Sequence, residues 1–148
     1  MITAPTLDNL TLSLTQEIHV RSSLRATFAA LLEQMGPSNE TPDGQPLPMI
    51  IEAWPGGRWF RDLGGNNGHC WGHVQAIKRP TLLEITGPLM MSFAVCSNMQ
   101  YRLKDVEGGT LITFRHTALG LFPPGYRDAL SQGWRGIFER VQKRAEAA

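Results

Sequence analysis

The stretch GGNNGHCWGH, residues 64–73, places two histidines, a cysteine, two asparagines and four glycines within ten positions. Residues of these types could bind a metal, cradle a phosphate or form the lip of a binding pocket. His69 and His73 are four apart, the spacing that puts two ligands on one face of a helix in zinc proteases. Here Trp71, Val74, Ile77 and the flanking glycines indicate a strand instead. At ~3.3 Å per residue, positions four apart on a strand lie about 13 Å from one another. One ion reaches its ligands at about 2.0–2.3 Å, so these two cannot share it, and Cys70 points to the opposite face. Gly64, Gly65 and Gly68 do not make a GxGxxG fingerprint, and no GK[ST] follows. The segment leads into a strand, so it offers no helix N-terminus to an anion. Neither a metal nor a cofactor is expected. Asn66, Asn67 and Gly68 read as the left-handed positions of a hairpin turn.

The other reactive residue types are scattered. There is no GxSxG elbow, and a cysteine near a histidine in sequence is not a dyad. Cys96, among Ala94, Val95 and Ser97, reads as a buried, inert thiol. Glu52, Asp62 and Glu84 are the candidates for paired carboxylates. All three fall on predicted strands, where outward, solvated side chains are the default.

The elements that must position these groups follow from periodicity. In LTLSLTQEIHV (10–20) the residues Leu10, Leu12, Leu14, Ile18 and Val20 keep one parity, which predicts a half-buried strand. RSSLRATFAALLEQMG (21–36) spaces Leu24, Phe28, Leu31, Leu32 and Met35 as a helix, with Ser22 as N-cap and Gly36 as its stop. PSNETPDGQPLP (37–48) predicts an exposed loop. MIIEAW, GRWFRDL, GHCWGHVQAI, LLEIT, MSFAVCSNMQYRLKD and TLITFRHTAL read as successive strands, separated by turns at PGG, GGNNG, KRPT, GPLM and VEGG. After Pro123-Pro124 a long amphipathic helix begins, with Tyr126, Leu130, Trp134, Ile137 and Val141 on one stripe and Ala129, Phe138 and Ala145 beside it. Its mixed basic and acidic residues predict a solvated face rather than a nucleic-acid patch. Strands joined by short turns pair antiparallel, and two helices must cover their apolar face: an α+β, two-layer arrangement.

Within that frame one pattern invites a ligand. Ile112, Phe114, His116 and Ala118 share a parity that is apolar except for His116. An imidazole on a core-facing row needs a hydrogen-bond partner or a polar ligand. Met99, Tyr101 and Leu103 form a similar row, and the last helix faces them with Tyr126, Leu130 and Trp134. Large aromatics with a few polar tips commonly line apolar ligand sites. The expected wall is Trp59, Met99, Tyr101, Phe114, His116, Tyr126 and Trp134, with no catalytic residue unless the protein is an enzyme, in which case it is His116. In the 68–77 strand, the small row Cys70, Gly72, Val74 and Ala76 is expected to face inward. Trp71 would then stand on the convex face, where it would suit a homodimer contact.

The chain has 148 residues, 42% apolar and 18% charged, with a formal charge of +1. One domain with an ordered core of about 8–145 is expected. The charge gives no broad field for nucleic acid or an anionic membrane. Two cysteines do not make a disulfide framework, the start MITAPTLDNL shows no secretory signal, and no apolar run approaches the ~20 residues of a membrane span. A soluble, cytoplasmic protein is expected.

GGRWF (56–60), GHVQAIKRPTLLEIT (72–86), GGTLITFRHTAL (108–119) and GW (133–134) occur in that order. Together they resemble the START-like (SRPBCC) superfamily, and within it the bacterial branch named after the activator of the heat-shock-protein ATPase. The likeness runs from about residue 8 to residue 145. It implies a helix-grip fold, a curved antiparallel sheet of about six to seven strands wrapped around the C-terminal helix, with a pocket between them. Members bind lipids, polyketides, hormones and other apolar molecules, and some are cyclases or hydrolases. Two departures are Ala76, where the family often has glutamate, and the proline-rich 37–48 loop in place of a tryptophan-containing segment. The leading expectation is a binding protein for an apolar or aromatic small molecule. A cyclase- or hydrolase-type enzyme using His116 beside a carboxylate, and a chaperone-interacting module, are the alternatives. Near-neutral charge offers the last of these little support.

Overall fold

The computed structural model describes residue 4 and residues 6–89 and 94–148. Met90, Met91, Ser92 and Phe93, where the GPLM turn and the start of the next strand were expected, lie outside the described residues. The elements are α1 (Leu7–Leu10), β1 (Thr11–Val20), α2 (Leu24–Met35), β2 (Ile50–Ile51), β3 (Arg58–Gly64), β4 (Asn67–Lys78), β5 (Leu82–Gly87), β6 (Val95–Val106), β7 (Gly109–Gly120) and α3 (Tyr126–Ala147). The strands form one antiparallel sheet in the order β1-β7-β6-β5-β4-β3-β2. Each neighbour from β2 to β7 follows directly in sequence, and β1 closes the far edge against β7. The fold is α+β and of the helix-grip type, with α2 and α3 lying together against the concave face.

Period two explains that face. β6 turns Val95, Ser97, Met99, Tyr101 and Leu103 inward, and β7 opposes them with Thr110, Ile112, Phe114, His116 and Ala118, all buried. Leu83 and Ile85 of β5 and Val74 of β4 extend the same layer. α2 adds Phe28, Ala30, Leu31 and Met35 at helical spacing.

Two expected positions shift by one residue, one at a helix cap and one at a hairpin turn. Ser23, not Ser22, caps α2, its Oγ accepting from the Ala26 N–H at 3.1 Å. The Ser22 carbonyl instead accepts from Thr110 Oγ1 at 2.8 Å, which ties the helix entry to β7. In the β3–β4 hairpin, Gly65 and Asn66 take the two positive φ angles, 61° and 63°, of a two-residue turn that right-handed strand twist favours. Asn67 already pairs with Gly64, and its amide reaches back to the Gly64 and Gly65 carbonyls.

The strand expected over 49–54 shrinks to Ile50–Ile51. The 37–48 loop is exposed at its tip but not at its base. Asn39 is buried and exchanges bonds with Leu47, its Nδ2 and its carbonyl both engaged at 2.9–3.0 Å.

At the β6–β7 turn the chain crosses β1 so closely that only glycine fits. Gly109 has φ 147°, and a Cβ there would lie 2.0 Å from the Val20 carbonyl oxygen. Gly109→Ala should therefore destabilise the protein by about 2 kcal/mol or more, because backbone rather than a flexible side chain must move. Urea denaturation checks this, and a loss below about 0.5 kcal/mol would mean the hairpin relaxes freely.

Candidate functional site

The apolar stripe of α3 is not buried evenly. Trp134, Phe138, Val141 and Ala145 form a buried spine. Tyr126, Leu130 and Ile137 stay only partly buried. The reason is a hollow of about 200 Å³ beneath the N-terminal half of the helix. Its walls are Tyr126, Leu130, Gly133, Trp134 and Ile137 from α3, Trp59 and Trp71 from β3 and β4, Leu89 after β5, and Asn39 and Pro42 from the loop. Almost all of that lining is apolar. A second basin of about 360 Å³ shares Asn39, Pro42, Trp71, Gly133 and Ile137 with it and opens toward Arg61, His69 and Arg140. A larger depression of about 470 Å³ between β1 and α3 is walled by Thr15, Glu17, Arg135 and Gln142 among others, and offers little apolar surface.

Three indoles set the chemistry of the inner hollow. Trp59 and Trp71 meet edge to face, with centroids 5.2 Å apart. Trp59 Nε1 donates to the Met35 carbonyl at 2.8 Å, which also fastens the end of α2 to the sheet. Trp71 Nε1 donates to His69 Nδ1 at 3.2 Å, and Trp134 Nε1 donates to His116 Nδ1 at 3.0 Å. Every indole N–H is thus committed to the protein, and what remains for an occupant is ring surface. Tyr126 stacks on Phe122 at 5.8 Å, and burial pushes its phenol up to about 12, so it stays protonated.

Of the residues expected to bind ligand, Trp59, Tyr126 and Trp134 line this hollow. Met99, Tyr101, Phe114 and His116 are fully buried in the aromatic core, in which Trp134 touches Phe114 at 4.6 Å and Tyr101 at 5.9 Å. Burial lowers the His116 imidazole to about 4, so it is neutral, and its Nδ1 is the acceptor for Trp134. The proton therefore sits on Nε2, which like the Tyr101 hydroxyl is buried without a hydrogen-bond partner among the described residues. No carboxylate bonds His116 among the described residues.

Trp71 corrects the parity reading. It is buried on the concave side, with His73 on the exposed face opposite Arg58. Trp59 pairs with Gly72 and Phe60 with Cys70, so Trp71 is the extra residue of a bulge that reverses the facing of the strand. Gly72 was the available signal: a glycine inside a strand often marks a bulge, and a Cβ here would stand 2.7 Å from the Thr86 carbonyl. Leu89, Asn39, Pro42 and Gly133 carried no comparable signal.

The remaining candidates are engaged separately. Glu52 is held by Arg58 through side-chain bonds of 2.8 and 3.0 Å, which keeps its carboxyl down at about 2. Asp62 accepts from the Gly64 N–H, and Glu84 accepts from Asn98 and Gln100. Cys96 is exposed rather than buried, because Val95 and Ser97 take the inward parity of β6. Among the described residues no cluster of three or more His, Cys, Asp and Glu could hold a metal, and no helix is long and apolar enough to cross a membrane.

No protein-family model and no curated protein matches this sequence. Solved structures share its fold. An uncharacterised protein from Rhizobium leguminosarum superposes with a TM-score of 0.73 at 18% identity, covering 93% of this chain and 96% of its own. An AHSA1-like protein from Aeromonas hydrophila gives 0.67 at 18% identity, over 92% and 93% of the two chains. The di-domain ARO/CYC protein StfQ of the steffimycin biosynthetic pathway gives 0.66 at 13% identity, covering 95% of this chain and 52% of that one. These neighbours carry the START-like fold that the sequence resemblance implied, and at such identities they carry the fold alone.

Proposed function

We propose that this protein binds a mainly apolar small molecule in the hollow between the sheet and the N-terminal half of α3. The observation that carries the reading is the incomplete burial of the α3 stripe: a helix patterned for a core leaves Tyr126, Leu130 and Ile137 facing a space walled by three indoles. An apolar cavity of ~150 Å³ is enough to hold a benzene-sized guest, so about 200 Å³ suits a one- or two-ring body or a short alkyl chain. Dispersion against the indole faces and release of apolar surface from water would supply the affinity.

Gly133 is the position at which the site can be closed. A Cβ there meets nothing within 4 Å, so the space that a side chain would occupy belongs to the hollow. Gly133→Phe is expected to weaken binding of an aromatic probe about ten-fold or more, while the fold persists because glycine is a poor helix former. Tryptophan fluorescence titration with naphthalene derivatives, beside a thermal melt, reads both. Unchanged affinity in a folded Gly133→Phe protein would sink the assignment.

Catalysis through His116 draws no support from the geometry, because the unprotonated nitrogen is occupied by Trp134 and no carboxylate among the described residues bonds the ring. We place the protein in the cytoplasm, in keeping with its two unpaired thiols, Cys70 and Cys96.

A further inference from the structure

We infer that the molecule held in the hollow is an amphipathic acid, its apolar body against the indoles and its carboxylate paired with Arg61 at the mouth. This rests on the binding reading above and adds to it the charge of the ligand. The outer basin has two arginines, and they are not equivalent. Arg140 is already matched: it pairs with Glu40 at 3.2 Å and donates to the Thr41 and Pro42 carbonyls. Its charge and its donors are taken up in holding the 37–48 loop to α3. The Arg61 side chain has no hydrogen bond, ion pair or ring contact among the described residues, yet it lines the same basin. With Glu40 engaged by Arg140, Arg61 is left as the uncompensated charge of the mouth.

The placement fits a short acid. Arg61 lies two residues beyond Trp59 on β3, on the same parity, so its Cα stands about 6–7 Å farther along the strand. That exceeds the roughly 4 Å between the centre of a naphthalene ring and a carboxyl carbon bonded to it, a difference within reach of the flexible arginine side chain. The cross-strand neighbour of Arg61 is His69. Because His69 Nδ1 accepts from Trp71, its proton is on Nε2, which leaves a second donor on a residue that lines the same basin. A carboxylate there would meet a planar fork and a second N–H, the pairing that arginine geometry favours. The long arginine stem can follow the apolar wall while its head stays at the basin, so no charge need enter the hollow.

Four probes test the inference by isothermal titration: 2-naphthoate against 2-naphthamide, and decanoate against decanamide. At pH 8 and low salt, at least one acid is expected to bind about five- to ten-fold tighter than its amide. The margin should shrink as ionic strength rises from about 0.05 to about 0.5 M, because a pair at a wet mouth is screened. In Arg61→Gln the acid should fall to the affinity of the amide while the amide is unmoved, and Arg102→Gln, on the exposed face of β6 and outside both basins, should leave both unchanged. Acid and amide binding equally to the native protein overturns the head-group assignment and leaves the hollow as a neutral site. An acid preference that survives in Arg61→Gln removes that residue from the role. If none of the four binds, both the inference and the binding reading fall.

Discussion

Trp134→Ala is expected to lower the free energy of unfolding by about 3–5 kcal/mol, the range for deleting a buried indole. Trp134 is the hub of the aromatic core: its ring touches Phe114 at 4.6 Å, Tyr101 and His116 at 5.9 Å, and Phe138 at 6.1 Å. It also forms one wall of the hollow, so the lost volume would merge with existing space rather than collapse. A second cost comes from His116, whose Nδ1 would lose its donor while remaining buried, a penalty of about 1–3 kcal/mol. Trp134→Phe separates the two contributions. It retains most of the ring and removes only the N–H, and is expected to cost about 1–2 kcal/mol. Urea denaturation followed by far-UV circular dichroism measures both variants. Equal losses would show that the hydrogen bond outweighs packing, and a loss below about 1 kcal/mol for alanine would mean this core repacks around the gap.

How far the chain can be read without coordinates depends on whether the pattern or its tertiary setting decides. Apart from the one-turn α1, which takes Leu10 out of the expected strand, the element order was legible because strand parity in β1, β6 and β7 and helical spacing in α2 and α3 are long and uninterrupted. Turn chemistry at Gly64–Gly68 was legible as a hairpin, but its centre was not. Residue types place the left-handed positions at Asn66, Asn67 and Gly68, whereas pairing of Gly64 with Asn67 puts them at Gly65 and Asn66. Trp71 failed for a different reason. Parity counting assumes an unbroken pleat, and the inserted residue at Trp71 turns Cys70 outward although Gly72 and Val74 keep the inward parity. The α3 stripe was visible, yet periodicity cannot tell a residue packed on a core from one lining a void. Only the arrangement of Trp59, Trp71 and Leu89 around the helix makes that distinction. The 37–48 loop reads as exposed from its prolines, whereas its base closes the cavity through Asn39 and Pro42.

His116 supplies the second large effect, and its sign follows from which state takes up the proton. In the native protein burial holds its pKa at about 4, against an ordinary value of 6.5. Between those limits the unfolded chain binds a proton and the native one does not. Stability from this group is therefore complete above pH 6.5 and is lost as the pH falls toward 4. The slope is about 1.4 kcal/mol per pH unit, which amounts to about 3 kcal/mol across the window. Glu52 acts elsewhere. Arg58 lowers its carboxyl from 4.5 to about 2, so its contribution is present above pH 4.5 and lost only below it. The interval from pH 6.5 to 4.5 therefore reports His116 with little interference from Glu52. His116→Gln is the discriminating variant, because the amide oxygen can still accept from Trp134 Nε1 and the side chain does not titrate. Its stability should be nearly level between pH 6.5 and 4.5, whereas the native protein loses about 2–3 kcal/mol there in urea unfolding curves. Parallel slopes in the two proteins would assign the acid sensitivity to another group and would require the His116 ring to take up its proton in place, with Nδ1 released by Trp134.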